Sequence, residues 1–200
     1  MNRKTATLIV IVSLCFTVAF FLPQAWGEES KIVVNKPYGY QFEAPAGLIV
    51  KVQYNGLIIE MYENDKIAMR ITAFKPNPEG SVAYGGEERK IDDLTLQERM
   101  ACNLSQLCRP PYGTLDSEFM RTIDWSYPLV GGEAAVQANG TSWKGCDSRR
   151  FPATMVRKGD LRFQFNNFRL DREAFERVLS SFLFIKREDS TLPATGEGGV

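Results

Sequence analysis

Leu48-Ile49-Val50-Lys51-Val52-Gln53-Tyr54-Asn55-Gly56-Leu57-Ile58-Ile59-Glu60-Met61-Tyr62 is the stretch that decides the fold. Two β-rich runs flank Asn55-Gly56. Both of these residues tolerate positive φ, as the two-residue hairpin turns that match strand twist require. That turn sets Tyr54 opposite Leu57, Val52 opposite Ile59 and Val50 opposite Met61 on one apolar face. Lys51 then faces Glu60 on the other side, a favourable cross-strand charge pair. A slip of one residue would destroy both patterns, so the register is well specified.

Outward from the hairpin, a three-residue turn at Glu63-Asn64-Asp65 is expected to return Ile67, Met69 and Ile71 opposite Met61, Ile59 and Leu57. On the N-terminal side, Lys31 to Val34 is a short apolar start. Tyr38-Gly39-Tyr40-Gln41-Phe42 follows, with rings at every second position, as in a half-buried strand. Residues 75–94 hold Pro76, Pro78, Gly80, Gly85 and Gly86 among charges and read as a long loop. Thr95-Leu96-Gln97-Glu98 fits a capping box, and Leu96, Met100, Leu104 and Leu107 form one apolar stripe, so a helix is predicted over 95–107. Pro110-Pro111 ends it. Phe119 to Tyr127 reads as a strand, as does Ala134 to Ala138, closed by Asn139-Gly140. Phe151 to Arg157 and Leu161 to Phe165 read as a hairpin around Lys158-Gly159-Asp160. A second helix over 171–182 starts at Asp171, a good N-cap, and a short strand, Leu183-Phe184-Ile185, follows it. The fold class is therefore α+β, an antiparallel sheet flanked by helices. The two helical stripes are the expected cover for the apolar face of 48–73.

The N-terminus reads differently. Arg3 and Lys4 precede an apolar run from Ala6 to Leu22, and Ala25-Trp26-Gly27 places small residues where a signal peptidase cuts. Residues 1–27 are expected to be a signal peptide, 28–186 a single domain, and 187–200 a polar, disordered tail. A run this short could instead stay as an uncleaved anchor, in which case residues 6–22 would be the contact with a membrane. Export to the periplasm or beyond follows from the first reading. Cleavage would leave 22 basic and 24 acidic residues, a net charge of −2. Such a balance gives no electrostatic reason to seek nucleic acid or an anionic membrane surface.

Export also places Cys102, Cys108 and Cys146 where disulfides persist. Cys102 and Cys108 lie about 9 Å apart along a continuous helix, beyond the roughly 7 Å that a bridge allows. Cys108 at the helix end and Cys146 in the loop Trp143-Lys144-Gly145-Cys146 are thus the expected disulfide. A helix that unwinds by Leu104 would permit Cys102–Cys108 instead.

The chain has no histidine. That removes Ser-His-Asp and Cys-His nucleophile activation and histidine-containing metal sites. No phosphate loop, dinucleotide fingerprint or EF-hand spacing occurs. No catalytic, cofactor-binding or metal-binding residues are assigned. The acidic pairs Glu87-Glu88 and Asp92-Asp93 read as solvated charge beside a helix start.

Two stretches carry a family resemblance. Tyr38-Gly39-Tyr40-Gln41-Phe42-Glu43-Ala44-Pro45-Ala46-Gly47 is similar to the opening strand and turn of PsbP-like domains. Phe175-Glu176-Arg177-Val178-Leu179-Ser180-Ser181-Phe182-Leu183-Phe184 resembles their closing helix and strand. Gly131-Gly132-Glu133-Ala134 and the Lys158-Gly159-Asp160 turn stand where the family's middle motifs fall. The resemblance, over roughly residues 31–187, implies an α/β/α sandwich. It also implies a non-catalytic accessory role, as in the extrinsic photosystem subunits that name the family, without a cofactor. The expected function is an exported, non-enzymatic accessory or binding domain whose partner is another envelope protein. The alternatives are an envelope structural protein held by an uncleaved anchor, and a carboxylate-dependent enzyme with two convergent acids in a deep pocket.

Overall fold

The computed structural model describes residues 30–75, 80–84, 87–108 and 118–187. The expected signal peptide, the proline stop at Pro110-Pro111 and the tail beyond 187 lie outside these residues. Among these residues, thirteen strands and three α-helices follow in chain order. Strands β1 (Lys31–Asn35) and β2 (Tyr40–Ala44) precede the meander β3 (Ile49–Gln53), β4 (Ile58–Glu63) and β5 (Lys66–Phe74). A small hairpin, β6 (Ser81–Tyr84) and β7 (Glu87–Lys90), leads into helix α1 (Leu96–Cys108) and the one-turn helix α2 (Glu118–Arg121). Strands β8 (Ile123–Ser126), β9 (Leu129–Val130), β10 (Glu133–Thr141), β11 (Ala153–Lys158) and β12 (Leu161–Asn167) come next. Helix α3 (Arg172–Ser181) and β13 (Leu183–Phe184) close the fold.

The large antiparallel sheet has the order β3-β4-β5-β12-β11-β10-β8, with β9 also paired to β10. Its two faces bury different covers. Ile59, Met61, Met69, Ile71, Phe163 and Phe165 face α3 and the small sheet β1-β2-β13, which contributes Tyr40 and Phe42. Rings pack across this layer: Tyr40 stacks on Phe182 at 5.0 Å, and Phe165 meets Phe182 edge-on at 5.0 Å. On the opposite face, Ala138, Ala153 and Met155 pack under Met100, Ala101 and Leu104 of α1 and Phe119 of α2. The fold is therefore α+β with helices on both sides of an antiparallel sheet.

Local signals are obeyed where they are self-contained. Leu57 N–H donates to Tyr54 O at 3.1 Å, closing the turn around Asn55 (φ 53°) and Gly56 (φ 95°). Val52 pairs with Ile59, Val50 with Met61 and Lys51 with Glu60. The capping box is reciprocal, with Glu98 N–H on Thr95 Oγ1 at 3.1 Å and Thr95 N–H on Glu98 Oε2 at 2.8 Å. Asp171 Oδ1 accepts from Ala174 N–H at 2.7 Å, capping α3.

Several expectations need correction. The turn after β4 has two residues, Asn64 and Asp65, both at positive φ, and Ile67 pairs with Tyr62 rather than with Met61. A bulge then restores Met69 opposite Met61 and Ile71 opposite Ile59. The expected loop over 75–94 contains β6, β7 and a 3-10 turn, Ile91–Asp93. Phe119 is helical, because its ring fills the space between α1 and Trp143 (5.8 Å, edge-on) instead of joining β8. Asn139-Gly140 does not close β10. The strand runs through to Thr141, with a bulge where it pairs β8. Only α3, not α1, covers the apolar face of the meander, together with the small sheet. Val52 is on that face but 60% exposed, and Tyr54 in the turn that follows is 70% exposed, since β3 is the sheet edge and the cover stops short of it. Arg187, expected to lie in the tail, is held by Asp160 at 3.3 Å.

Candidate functional site

Helix α1 lies over β10 and β11 and reaches the near side of β12, so among the described residues the same face of β5, β4 and β3 has no helix above it. Strand alternation places polar residues there: Arg162, Gln164 and Asn166 from β12, Arg70 and Thr72 from β5, Glu60 from β4, Lys51 and Gln53 from β3. The result is a polar tract beside α1, and it is the candidate functional site.

At its centre, Glu60 is buried and accepts from four groups. Arg70 Nε and Nη2 reach Oε1 at 2.8 and 2.6 Å, and Gln53 Nε2 and Tyr62 Oη reach Oε2 at 2.6 and 2.5 Å. Burial pulls its pKa upward, but the hydrogen bonds from Tyr62, Arg70 and Gln53 outweigh it and hold the carboxyl below its usual range. The bond to Glu60 in turn raises the Tyr62 phenol. A carboxylate so saturated is an anchor for the sheet and a poor proton donor at neutral pH. Next to it, Asn103 Nδ2 of α1 donates to Gln164 Oε1 at 2.8 Å, and Gln164 Nε2 passes a bond on to Asn166 Oδ1 at 2.9 Å. The tract ends at Arg162, beside Arg157 and Arg99.

The disulfide closes the C-terminal end of α1. Cys108 and Cys146 form a disulfide with Cα atoms 4.2 Å apart. The loop must come close to do so, and a Cβ on Gly145 would meet Cys108 O at 2.8 Å. Cys102 is free and buried, and burial pushes its thiol pKa up, away from nucleophilic thiolate character. The described acidic side chains take separate partners. Asp92 turns toward Arg162, Glu88 accepts from Ser81 Oγ, and the Glu87 side chain lies outside the described residues. Among the described residues no three Cys, Asp or Glu side chains gather as a metal-binding group. The tract was missed at the sequence level. Alternation identifies its residues as facing away from the core, but not that β12 is central and flanked by α1.

No family model and no curated protein matches the chain. Among solved structures, it is similar to the solution structure of cyanobacterial PsbP (CyanoP) from Synechocystis sp. PCC 6803. The TM-score is 0.50 at 11% identity, over 78% of this chain and 93% of that one. A protein from Bacteroides thetaiotaomicron VPI-5482 aligns with TM-score 0.40 at 13% identity, over 80% of this chain and 49% of that one. The fold is PsbP-like.

Proposed function

We propose that this chain is an exported, non-enzymatic accessory domain that binds another protein of the cell envelope. The observation that carries the reading is the PsbP-like fold over 78% of the chain. The non-catalytic role is what likeness to such domains implies, and the polar tract fits it. Its central carboxylate is fully engaged by Arg70, Gln53 and Tyr62, which suits a rigid recognition surface better than acid–base work. The signal-like N-terminus and the Cys108–Cys146 bridge support a working place outside the cytoplasm. The test is native electrophoresis of gently solubilised envelope. The chain should migrate in a discrete assembly well above its own 22.6 kDa. Migration as a free monomer from every envelope fraction would overturn the reading.

A further inference from the structure

Three guanidinium groups meet at the β12 end of the polar tract with one carboxylate among them. Arg157 and Arg162 are direct cross-strand partners, a placement that like charges disfavour. Arg99, from the first turns of α1, lies near enough to Arg162 for the two charges to interact. Arg162 is 3% exposed at its side chain, and its Nη2 reaches Asp92 Oδ1 only at 3.5 Å. Its Nε and Nη1, together with Arg99 Nε, are buried with no hydrogen-bond partner among the described residues. Elsewhere on the same tract the pattern is the opposite, since Arg70 has both its bonds to Glu60. Buried donors are almost always satisfied, and each one left without an acceptor costs the desolvation of that group. Burial pushes both Arg99 and Arg162 below the ordinary arginine pKa, and for Arg162 the charges of Arg99 and Arg157 add to this against Asp92.

We propose that Arg99, Arg157 and Arg162 form a binding site for a phosphoryl-type dianion. Three guanidinium charges against the single Asp92 carboxylate leave two positive charges, which a dianion balances. Guanidinium groups match phosphate oxygens in geometry and pair with them by charge-assisted bonds. The three orphaned nitrogens supply the buried donors, and Arg157, which is exposed, supplies the outer one. The ligand is a phosphate group either on a soluble molecule or on a lipid headgroup.

The test is thermal unfolding of the purified chain in sodium phosphate against sodium chloride of equal ionic strength. At phosphate near one hundred times its dissociation constant, the wild-type midpoint should rise by about 5–10 °C. Arg162→Met and Arg99→Met should lose most of that gain, and R162M should melt no lower than wild type in chloride, because a buried charge with two unsatisfied donors is gone. Arg157→Gln, at an exposed position, keeps the test decisive if R162M does not fold. Arg177→Gln, on α3 and paired to Glu173 instead, should respond as wild type does. Equal gains in every variant would mean general exclusion of phosphate from protein surface, and would overturn the site. Sedimentation with phosphatidylcholine vesicles separates the sources. Binding only when phosphatidic acid is included, and lost in R162M, assigns the headgroup. A phosphate-dependent gain without vesicle binding assigns a soluble phosphate ester.

Discussion

At Gly56, φ is 95° and an added Cβ would stand 2.7 Å from Asn35 Oδ1. Asn35 Nδ2 in turn donates to Gly56 O at 2.7 Å and to Tyr40 Oη at 2.8 Å, so the hairpin turn is tied to the buried end of β1. Gly56→Ala must take a left-handed conformation, costing about 1–2 kcal/mol, and must also displace a buried hydrogen-bonded side chain. Together these should lower stability by about 2–4 kcal/mol in urea denaturation; a loss below about half a kcal/mol would show that the turn is not tied down. Glu60 makes a pH-dependent prediction. Its folded pKa is lowered, so the stability it contributes is present above the unfolded value of about 4.3 and is lost as pH falls through the folded value. Glu60→Gln should therefore be less stable than wild type at neutral pH by about 1–3 kcal/mol, and the gap should close under acid. Parallel urea titrations at neutral and acid pH check it; a gap that stays constant would assign Glu60 no special ionisation.

Helix α1 depends on its ends. Thr95→Ala removes half of the capping box and should cost about 1 kcal/mol, read as a shift of the urea midpoint with unchanged slope. At the other end, the Cys108–Cys146 bridge spans 38 positions. The chain-entropy model gives such a loop about 4 kcal/mol. Replacing both cysteines by serine should show a loss of that order, and non-reducing peptide mapping should join the Cys108 and Cys146 peptides while leaving Cys102 free. Elements of this kind were legible because their signals are local: Asn55-Gly56, Thr95 with Glu98, and Asp171 each satisfy their own backbone. Phe119 was not legible. Its alternation with Ile123 and Trp125 suits a strand, and only the gap beneath α1 makes it helical. Val52 carries the pattern of a core residue, yet its exposure is decided by where the small sheet ends. Ile67 shows the same limit, since a bulge at Ala68 is a compromise between turn geometry and core register. The polar tract was hidden for a related reason. Arg162 sits between Leu161 and Phe163 as any outward strand residue would, and its burial comes from α1 and the turn Ile91–Asp93.

Across the whole molecule, two apolar layers on opposite faces of one sheet make a domain whose open polar tract lies beside a helix pinned by a disulfide. Layering of that kind follows from the alternation of the central strands, each of which must hide one face and, under α1, both. The compartment is a separate matter. It rests on residues 1–27 and on the bridge, and these two features make one joint claim: the chain crosses a membrane, loses its N-terminus and oxidises. Acid quenching of the producing cells, alkylation of free thiols and mass spectrometry of the intact chain and its peptides test that claim in one measurement. The expected result is a chain beginning at Glu28, with Cys108 joined to Cys146 and Cys102 alkylated. A chain beginning at Met1 with Cys108 and Cys146 both alkylated would contradict it.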